Sequence, residues 1–516
     1  MEAVAFSVVP DPFHSSLEMY CSLTKRLSSS ETVGMKHSDL EKLIERDGRE
    51  LMRRLLQDHL NLRGNGDVGS EVKGSDGVER THKRVRGRGL TSIFGGVEVK
   101  RTGYSAREES SLFPQDAVLN MPEDSFSHGM RKAIAIEAAR GSFDESVASV
   151  ERMTGVHVSK RQAEGLAEKS AQDFDAFYAQ GCSDGNLAIA KVLPLQILSM
   201  DSKGIVMRKE DLKEATRLKA EESEHKLKKR VSKGEKLNAK RMATVAAVYN
   251  IDTFIRTPEQ VSGEFAPMRV LGMAQRPRPM AKRVWASIEK EQEGVIEDLF
   301  SEAMSRDPKK RKQWVCLVDG ERRQLKRLRK AAKKHGVEMV IVLDIIHVIE
   351  YLWKAARVFH EETSPEAEKW VSARLLQVLR GKSSHVAAGM RRSATLREIP
   401  TTKRKPIDVC AGYILRNAPY LNYDEYLKEG FPIATGVIEG ACRHVIKDRM
   451  DVTGARWSLT GSEAVLRLRS LRASGDFEDY WDFHENQEHA RNHKGHYAKP
   501  SVCNKLKLKL VKNPSS

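Results

Sequence analysis

The feature that most constrains the fold of this 516-residue chain is a series of short apolar runs that each end at an acidic residue. Apolar runs of this length, bounded by turn or helix-start signals, predict buried β-strands. The runs are residues 193–200 before Asp201, residues 314–318 before Asp319 and residues 337–343 before Asp344. Residues 202–204, which end in glycine, predict a turn after the first run. Because helix-like segments follow the second and third runs, we predict an α/β core with carboxylates at strand ends.

A further acidic residue, Glu439, lies on a predicted helix. Glu439, Arg443 and Lys447 recur at every fourth position and therefore share one helical face. A metal-binding carboxylate and two phosphate-binding cations would then line up. Any single acid is a weak signal, because the chain has 71 acidic residues and an acid at a strand end is usually just solvated. The order is more specific, since an acid on one strand, a second acid on a later strand and then Glu on a helix is the plan of an RNase H-like nuclease core.

Four stretches resemble the DDE transposases of bacterial insertion sequences, and within them the Kra group, which is related to Mutator-type transposases. They are Ser-Met-Asp-Ser-Lys-Gly at 199–204, Val-Asp-Gly-Glu-Arg at 318–322, Leu-Asp-Ile-Ile-His at 343–347, and Gly-Val-Ile-Glu-Gly-Ala-Cys-Arg-His at 436–444 with Thr-Gly-Ala-Arg-Trp at 453–457. The resemblance implies that Asp201, Asp319 and Glu439 are the catalytic triad. It also implies that Asp344 and His347 form the Asp-x-x-His element near the active site.

The implied activity is cleavage of DNA at insertion-sequence ends and strand transfer into target DNA. We expect the three carboxylates to bind two Mg²⁺ (or Mn²⁺) ions, which run cleavage and joining as the same in-line displacement with different nucleophiles. The expected partners are double-stranded DNA, as terminal inverted repeats and target, and further protomers in a homodimer or larger synaptic assembly. Two other functions fit the same residues: a catalytically inactive DNA-binding protein derived from a transposase, and a metal-dependent nuclease that cuts without joining.

Two predicted site positions each have more than one interpretation. His347 lies three residues after Asp344, which suits a metal ligand, a phosphate contact or a structural hydrogen-bonded pair. Trp457 is either a ring that stacks on a base while Arg456 binds its phosphate, or a buried ring beside a surface arginine. The sequence alone leaves both choices open.

A candidate DNA-reading motif lies N-terminal to the core. Ser142 with Glu145 and Ser159 with Gln162 have the spacing of capping boxes, and they frame two helices joined by a short turn. In a helix-turn-helix the start of the second helix contacts DNA, which here is Lys160, Arg161 and Gln162. The alternative is an ordinary helical hairpin that packs on the core.

Charge favours a nucleic-acid partner. The chain has 88 Lys and Arg against 71 acids, a net charge of +17 and a sequence pI near 9.4. A positive surface can merely keep a protein soluble, but these cations cluster, at residues 83–88, 226–230, 309–312 and 403–405. No apolar run approaches the ~20 residues of a membrane span. Six scattered cysteines without a C-x-x-C pair suggest reduced thiols, so we expect a cytoplasmic protein with no membrane partner.

The predicted organisation is a mainly helical N-terminal DNA-binding region followed by an RNase H-like, mixed-sheet α/β core that an all-helical insertion interrupts. Ser38 with Glu41 predicts a capping box for an N-terminal helix, and residues 64–88 are rich in glycine and charge, which predicts a flexible linker. The segments are 1–62, N-terminal helical; 63–125, linker and short strands; 126–190, helix-turn-helix-like; 191–348, first part of the core; 349–430, helical insertion; 431–475, second part of the core; and 476–516, basic tail.

Overall fold

The chain divides into two compact units. A computed structural model describes residues 11–499 except 182–187, 189, 223–238, 265–274, 363 and 453. The first unit comprises Met1–Phe177 and Phe477–Ser516, and the second comprises Tyr178–Asp476. The predicted basic cluster at residues 226–230 and the end of the predicted tail, residues 500–516, lie outside the described residues. Within the described part, every helix is too short or too polar to span a lipid bilayer.

The first unit begins with the helices His14–Leu27, Ser30–Val33 and His37–Leu62. The third helix was predicted, but its capping box was not found. The N-cap is Lys36, which has extended backbone angles and no side-chain cap bond, so Ser38 lies inside the first turn. A serine caps a helix only from the extended position before the first turn.

A long β-hairpin contains the last part of the predicted linker. The strands are β1 (Val72–Lys73), β2 (Glu79–Arg80), β3 (His82–Ser92) and β4 (Gly95–Ser105), and β3 pairs with β4 along its whole length. The linker prediction is therefore wrong for residues 82–88. Arg88 and Arg101 both reach the buried carboxylate of Asp116 in the helix Pro114–Leu119. This partner lies far along the chain, so local composition did not reveal why a cation-rich stretch is ordered.

Both predicted capping boxes of the helix-turn-helix region are confirmed. Ser142 with Glu145 caps the helix Phe143–Thr154, and Ser159 with Gln162 caps the helix Lys160–Ser170. Gly155 ends the first of these helices in the left-handed conformation that favours glycine. The neighbouring helices are His128–Arg140 and Phe174–Ala179. Apolar side chains of this region form one buried cluster: Phe126, Met130, Ile134, Val150, Val158, Ala163 and Leu166.

A pair of serine substitutions distinguishes the real cap from the absent one. We expect Ser142→Ala to lower the free energy of unfolding by about 1 kcal/mol, because the Glu145 amide loses its acceptor. Ser38→Ala should change it by a few tenths at most, since Ser38 caps no helix. Denaturant unfolding of the two full-length variants measures both. Equal effects would contradict the assignment of the N-caps.

The predicted basic tail begins with a helix of the first unit. The helix Phe477–Asn492 buries Phe477, Tyr480, Trp481 and His484, at the spacing of one helical face. The tail prediction is therefore wrong for residues 477–492, because the many charged residues between these positions concealed an aromatic stripe. A single 3-10 turn, Lys494–His496, follows.

The second unit is an α/β structure, as predicted, built on a mixed five-stranded sheet. Its strands are β5 (Leu195–Val206), β6 (Lys240–Ile251), β7 (Met280–Ser287), β8 (Gln313–Val318) and β9 (Met339–Leu343), in the spatial order β7-β6-β5-β8-β9. The pairs β5–β6 and β6–β7 are antiparallel, whereas β5–β8 and β8–β9 are parallel. Parallel neighbours end at the same edge of the sheet, which brings the ends of the predicted acidic runs together.

Helices surround this sheet and form the segment after β9. Those before β9 are Glu214–Glu222, Pro258–Glu264, Gln292–Arg306 and Arg322–His335. Those after β9 are Ile345–Phe359, Pro365–Leu379, Ser383–Leu396, Thr401–Arg416, Tyr423–Lys428, Gly436–Ala441, Asp448–Met450 and Leu459–Ser474. 3-10 turns lie at Lys209–Asp211 and Ala418–Tyr420. The described part of residues 349–430 contains no strand, in agreement with the predicted helical insertion.

Candidate active site

Asp201 lies within a strand rather than at its end. The sequence predicted a turn at residues 202–204, but β5 continues to Val206 because β6 pairs with it as far as Lys240. The parallel pairing with β8 stops earlier, at Ser199 and Leu317. Asp201 therefore follows the last β5–β8 pair by two residues.

Asp319 has the equivalent position on the neighbouring strand. It follows the end of β8 and lies two residues beyond Leu317, the partner of Ser199. Side chains two residues apart on a strand point to the same face, so the register accounts for the placement of both carboxylates on one side of the sheet edge. The Asp319 side chain accepts a hydrogen bond from the Glu321 amide (2.9 Å).

Glu439 reaches the same region from a helix that the core anchors. The Thr435 amide and hydroxyl both donate to the buried carboxylate of Asp344, which directly follows β9. Nearby, the Ile345 amide donates to the Ile433 carbonyl (2.9 Å). The helix Gly436–Ala441 begins immediately after this attachment and carries Glu439, whose side chain is exposed.

The helix after Glu439 is not regular. Residues Cys442–Lys447 form a π-helical segment, so the predicted regular fourfold spacing of Glu439, Arg443 and Lys447 does not hold. π-Segments are rare, often occur at functional sites, and shift the register of the helix around them. Arg443 and Lys447 nevertheless face the same cavity as Glu439.

One cavity of about 680 Å³ brings together six of the twelve predicted site residues. Asp201, Asp319 and Glu439 all line it, from a strand, a strand end and a helix. The other predicted residues in its lining are His347, Arg443 and Lys447. Sequence reasoning did not assign a site role to Lys203, Glu350, Thr435, Cys442, His444 and Asp448, which also line it.

The Asp201 carboxylate is held by two of these unpredicted residues. The Lys203 ammonium lies 2.8 Å from Asp201 Oδ2, and the Cys442 thiol donates to the same oxygen over 3.3 Å. Burial acts to lower the pKa of Lys203, but the hydrogen bond and charge of Asp201 outweigh it and raise that pKa. Burial and the nearby Asp201 raise the pKa of Cys442, so this thiol stays protonated at neutral pH. The motif around Asp201 contained Lys203, but its position before a glycine suggested a turn.

Asp344 and His347 separate into different roles. Asp344 is fully buried and caps the helix Ile345–Phe359 by accepting from the Ile346 amide. Burial raises the pKa of Asp344, and the residue does not line the cavity. His347 does line it and is partly exposed, with Nε2 4.0 Å from Asp344 Oδ2 and Nδ1 3.9 Å from Glu350.

The remaining predicted DNA contacts lie apart from the cavity. Trp457 is buried, and its indole donates to the Met450 carbonyl (3.1 Å), so the structure favours the buried ring over the base-stacking one. Burial of this large ring is possible because its single polar group finds a backbone partner. Arg456 is exposed.

The predicted reading positions of the first unit are exposed at the start of the helix Lys160–Ser170. Lys160 forms an exposed ion pair with Asp144 (2.8 Å). The Gln162 side chain takes part in its capping box. In the described part of the chain, Arg161 has neither a capping role nor an ion pair.

The donor set of the cavity fits magnesium. Mg²⁺ binds oxygen ligands, typically one or two carboxylates together with water and substrate phosphate, and five carboxylates line this cavity, Asp201, Asp319 and Glu439 among them. Asp201 already forms an ion pair with one cation, the Lys203 ammonium. Burial and the charge of Asp344 raise the pKa of Glu439, so a cation beside Glu439 would favour its ionised form.

A tighter group of ligand-type side chains lies in the first unit, and sequence reasoning missed it. Asp173, His484 and Glu488 have ligating atoms within 4.8 Å of one another, and they are the one such group of three in the described part of the chain. The ligating oxygens of Asp201, Asp319 and Glu439 are thus farther apart than those of this group. Arg491 lies 3.1 Å from Asp173 and 2.6 Å from Glu488, and Arg131 lies 2.9 Å from Glu488. Two guanidinium groups already balance these carboxylates, so the group is a buried ion-pair network.

Comparisons with known proteins give little independent information. No protein-family model matches the chain, and no curated protein matches it. Among solved structures, the chain is similar to the Drosophila P element transposase strand transfer complex, over 74% of this chain and 84% of that chain. The sequence identity is 8% and the TM-score is 0.23, values that support no conclusion about fold or function.

Proposed function

We propose that this chain is a DDE transposase of the Kra group with an RNase H-like core. The observation that carries the proposal is the common cavity of Asp201, Asp319 and Glu439, which come from positions 118 (319 − 201) and 120 (439 − 319) residues apart. The mixed sheet supports the fold assignment, as does the absence of a strand from the described part of residues 349–430. The motif resemblance to insertion-sequence transposases supplies the reaction.

Asp201, Asp319 and Glu439 would hold two divalent ions, Mg²⁺ or Mn²⁺. Bound there, such ions supply an activated oxygen nucleophile and stabilise charge on the reacting phosphate. Their carboxylate oxygens are the hard donors that such ions prefer. Lys203 and Cys442 keep the Asp201 carboxylate oriented.

The cations of the cavity would bind the DNA strand. Arg443 is exposed and has one distant carboxylate neighbour, Asp448 at 3.8 Å, so it can turn to a phosphate. Lys447 is exposed on the same wall. His347, between Asp344 and Glu350, faces the same cavity. The substrate would be double-stranded DNA, bound by a homodimer or larger assembly that pairs two element ends.

DNA from outside the coding sequence provides the test. The expected result is that the full-length protein, with Mg²⁺, cleaves at inverted repeats in the DNA flanking its gene and joins a pre-cleaved end to a second duplex. Removal of the metal with EDTA should stop both reactions, and Mn²⁺ should restore them. Cleavage without joining would instead identify a nuclease, and binding without either reaction would overturn the assignment as an enzyme.

A further inference from the structure

The helix Arg322–His335 has an unusual charge distribution. Eight of its fourteen residues are Lys or Arg and none is acidic. Its buried face consists of Gln324, Leu325, Leu328, Ala331 and Ala332, which directs the cations outwards. From the sequence this segment is an ordinary helix after the second acidic run, because the side on which its cations lie is not known until the buried face is known.

The cations on the two sides of this helix differ. Towards the helix Gln292–Arg306 they are paired: Arg327 lies 2.6 Å from Glu293, and Lys334 lies 2.8 Å from Glu297. On the other side, Arg322, Lys326, Arg329 and Lys333 follow one another at helical spacing. In the described part of the chain, no carboxylate lies within ion-pair distance of these four side chains.

These four cations and Arg416 line a continuous depression, which we call the basic groove. It consists of two adjoining cavities of about 270 and 540 Å³ that share Arg329 and Tyr420. The lining of the first cavity contains no acidic residue, and that of the second contains one, Glu338. The Arg329 guanidinium lies 5.1 Å from the centre of the Tyr420 ring, a cation–π contact that helps to hold it in place.

Such a concentration of like charge is unfavourable without a partner. Like charges four residues apart destabilise a helix. From Arg322 to Lys333 the stripe is about 16 Å long at the rise of an α-helix. A DNA strand carries a phosphate every ~3.4 Å along its axis, so the stripe spans about five phosphate spacings.

The basic groove also lies next to the candidate active site. Arg322 follows Asp319 by three residues, and the Tyr413 hydroxyl donates to the Asp319 carbonyl (2.8 Å) one helical turn before Arg416. The two helices that supply Arg322 and Arg416 to the groove therefore both approach Asp319. We propose that the basic groove binds the phosphate backbone of the DNA whose end is held in the active-site cavity, an inference that rests on the proposed function.

A charge-matched pair of variants tests this proposal. Lys326→Gln with Lys333→Gln removes two exposed cations from the groove, and Arg323→Gln with Lys330→Gln removes two exposed cations from the same helix outside it. Binding of full-length protein to a short DNA duplex of arbitrary sequence is measured by fluorescence anisotropy over a range of salt concentrations. Arbitrary sequence suffices because phosphate contacts carry no sequence information.

We expect the groove variant to show a slope of log K against log salt that is shallower by about 1.8, since each lost phosphate contact contributes about 0.9. The control variant should keep the slope of the wild-type protein. If the wild-type protein binds DNA but the two variants show equal slopes, the groove proposal is wrong, whereas the proposed function is unaffected. The groove proposal would also be wrong if the groove variant lost affinity for single-stranded RNA while its DNA binding stayed unchanged.

The two proposals fail in different ways. A shallower slope in the groove variant of a protein that never cleaves DNA supports the groove and contradicts the transposase assignment. A wild-type protein that binds no duplex DNA contradicts both.

Discussion

Replacing Asp201 by Asn is expected to reduce DNA cleavage by a factor on the order of 10³ or more while DNA binding persists. Metal ions contribute several kcal/mol of charge stabilisation at such sites, and each 1.36 kcal/mol is a factor of ten in rate. The substitution removes the charge that faces the cavity but keeps the shape of the side chain. The amide oxygen can still accept from the Cys442 thiol, so the local structure should survive. Single-turnover cleavage and duplex binding, measured side by side, check both parts.

The matched control is Asp408→Asn. Asp408 is a half-exposed carboxylate of the second unit that pairs with Arg391 and Arg404 (3.4 Å each) and does not line the cavity. It loses the same charge, but its exposed ion pairs contribute little to stability, so cleavage should stay near the wild-type rate. Cleavage by Asp201→Asn within about tenfold of wild type would remove Asp201 from the catalytic site.

Replacing Asp344 by Ala is expected to lower the free energy of unfolding by about 3 kcal/mol. The substitution leaves the Ile346 amide and both donors of Thr435 without their acceptor in a fully buried position. Each unsatisfied buried donor costs about 1–3 kcal/mol. Because the same carboxylate ties the segment before Glu439 to the end of β9, cleavage should fall as well. Denaturant unfolding of the full-length protein gives the stability change.

Two variants show whether burial is the cause. Glu321 caps the preceding helix in the same way, by accepting from the Arg323 and Gln324 amides, but its side chain is exposed; Glu321→Ala should therefore cost only about 1 kcal/mol. Asp344→Asn keeps an acceptor and suits a site in which burial already raises the carboxyl pKa, so it should cost less than Asp344→Ala. If Glu321→Ala and Asp344→Ala proved equally destabilising, the anchoring role of Asp344 would be wrong.

The same type of sequence signal succeeded at some positions and failed at others for identifiable reasons. The capping boxes at Ser142 and Ser159 are present, whereas Ser38 lies inside a helix that begins at His37. A capping box needs the serine to be the N-cap, and spacing to the glutamate does not decide where the helix starts. The glycine at position 204 suggested a turn, but pairing with β6 keeps that residue in β5.

Local sequence also underestimated order that depends on distant partners. Residues 82–88 are strand because β4 pairs with them, and Arg88 finds a buried carboxylate at Asp116. The helix Phe477–Asn492 belongs to the first unit, where the His484 side chain is hydrogen-bonded to Asp173. Neither partner is recognisable from the segment itself. Composition described both stretches as polar and basic, and tertiary contacts made them ordered.

What the sequence by itself determined is most of the strands and helices that carry the predicted site residues. Apolar runs fix strands because burying their side chains is favourable in any sheet, and the acid after such a run directly follows the strand at Asp319 and Asp344 but lies within it at Asp201. Only the tertiary structure decided which of these acids share a cavity. The parallel register of β5 and β8 aligned Asp201 with Asp319, and Asp344, itself excluded from the cavity, anchored the helix of Glu439 beside them. Convergence depends on hydrogen bonds between residues about 90 to 240 positions apart, such as those of Asp344 with Thr435 and Asp201 with Cys442, and no local pattern encodes them.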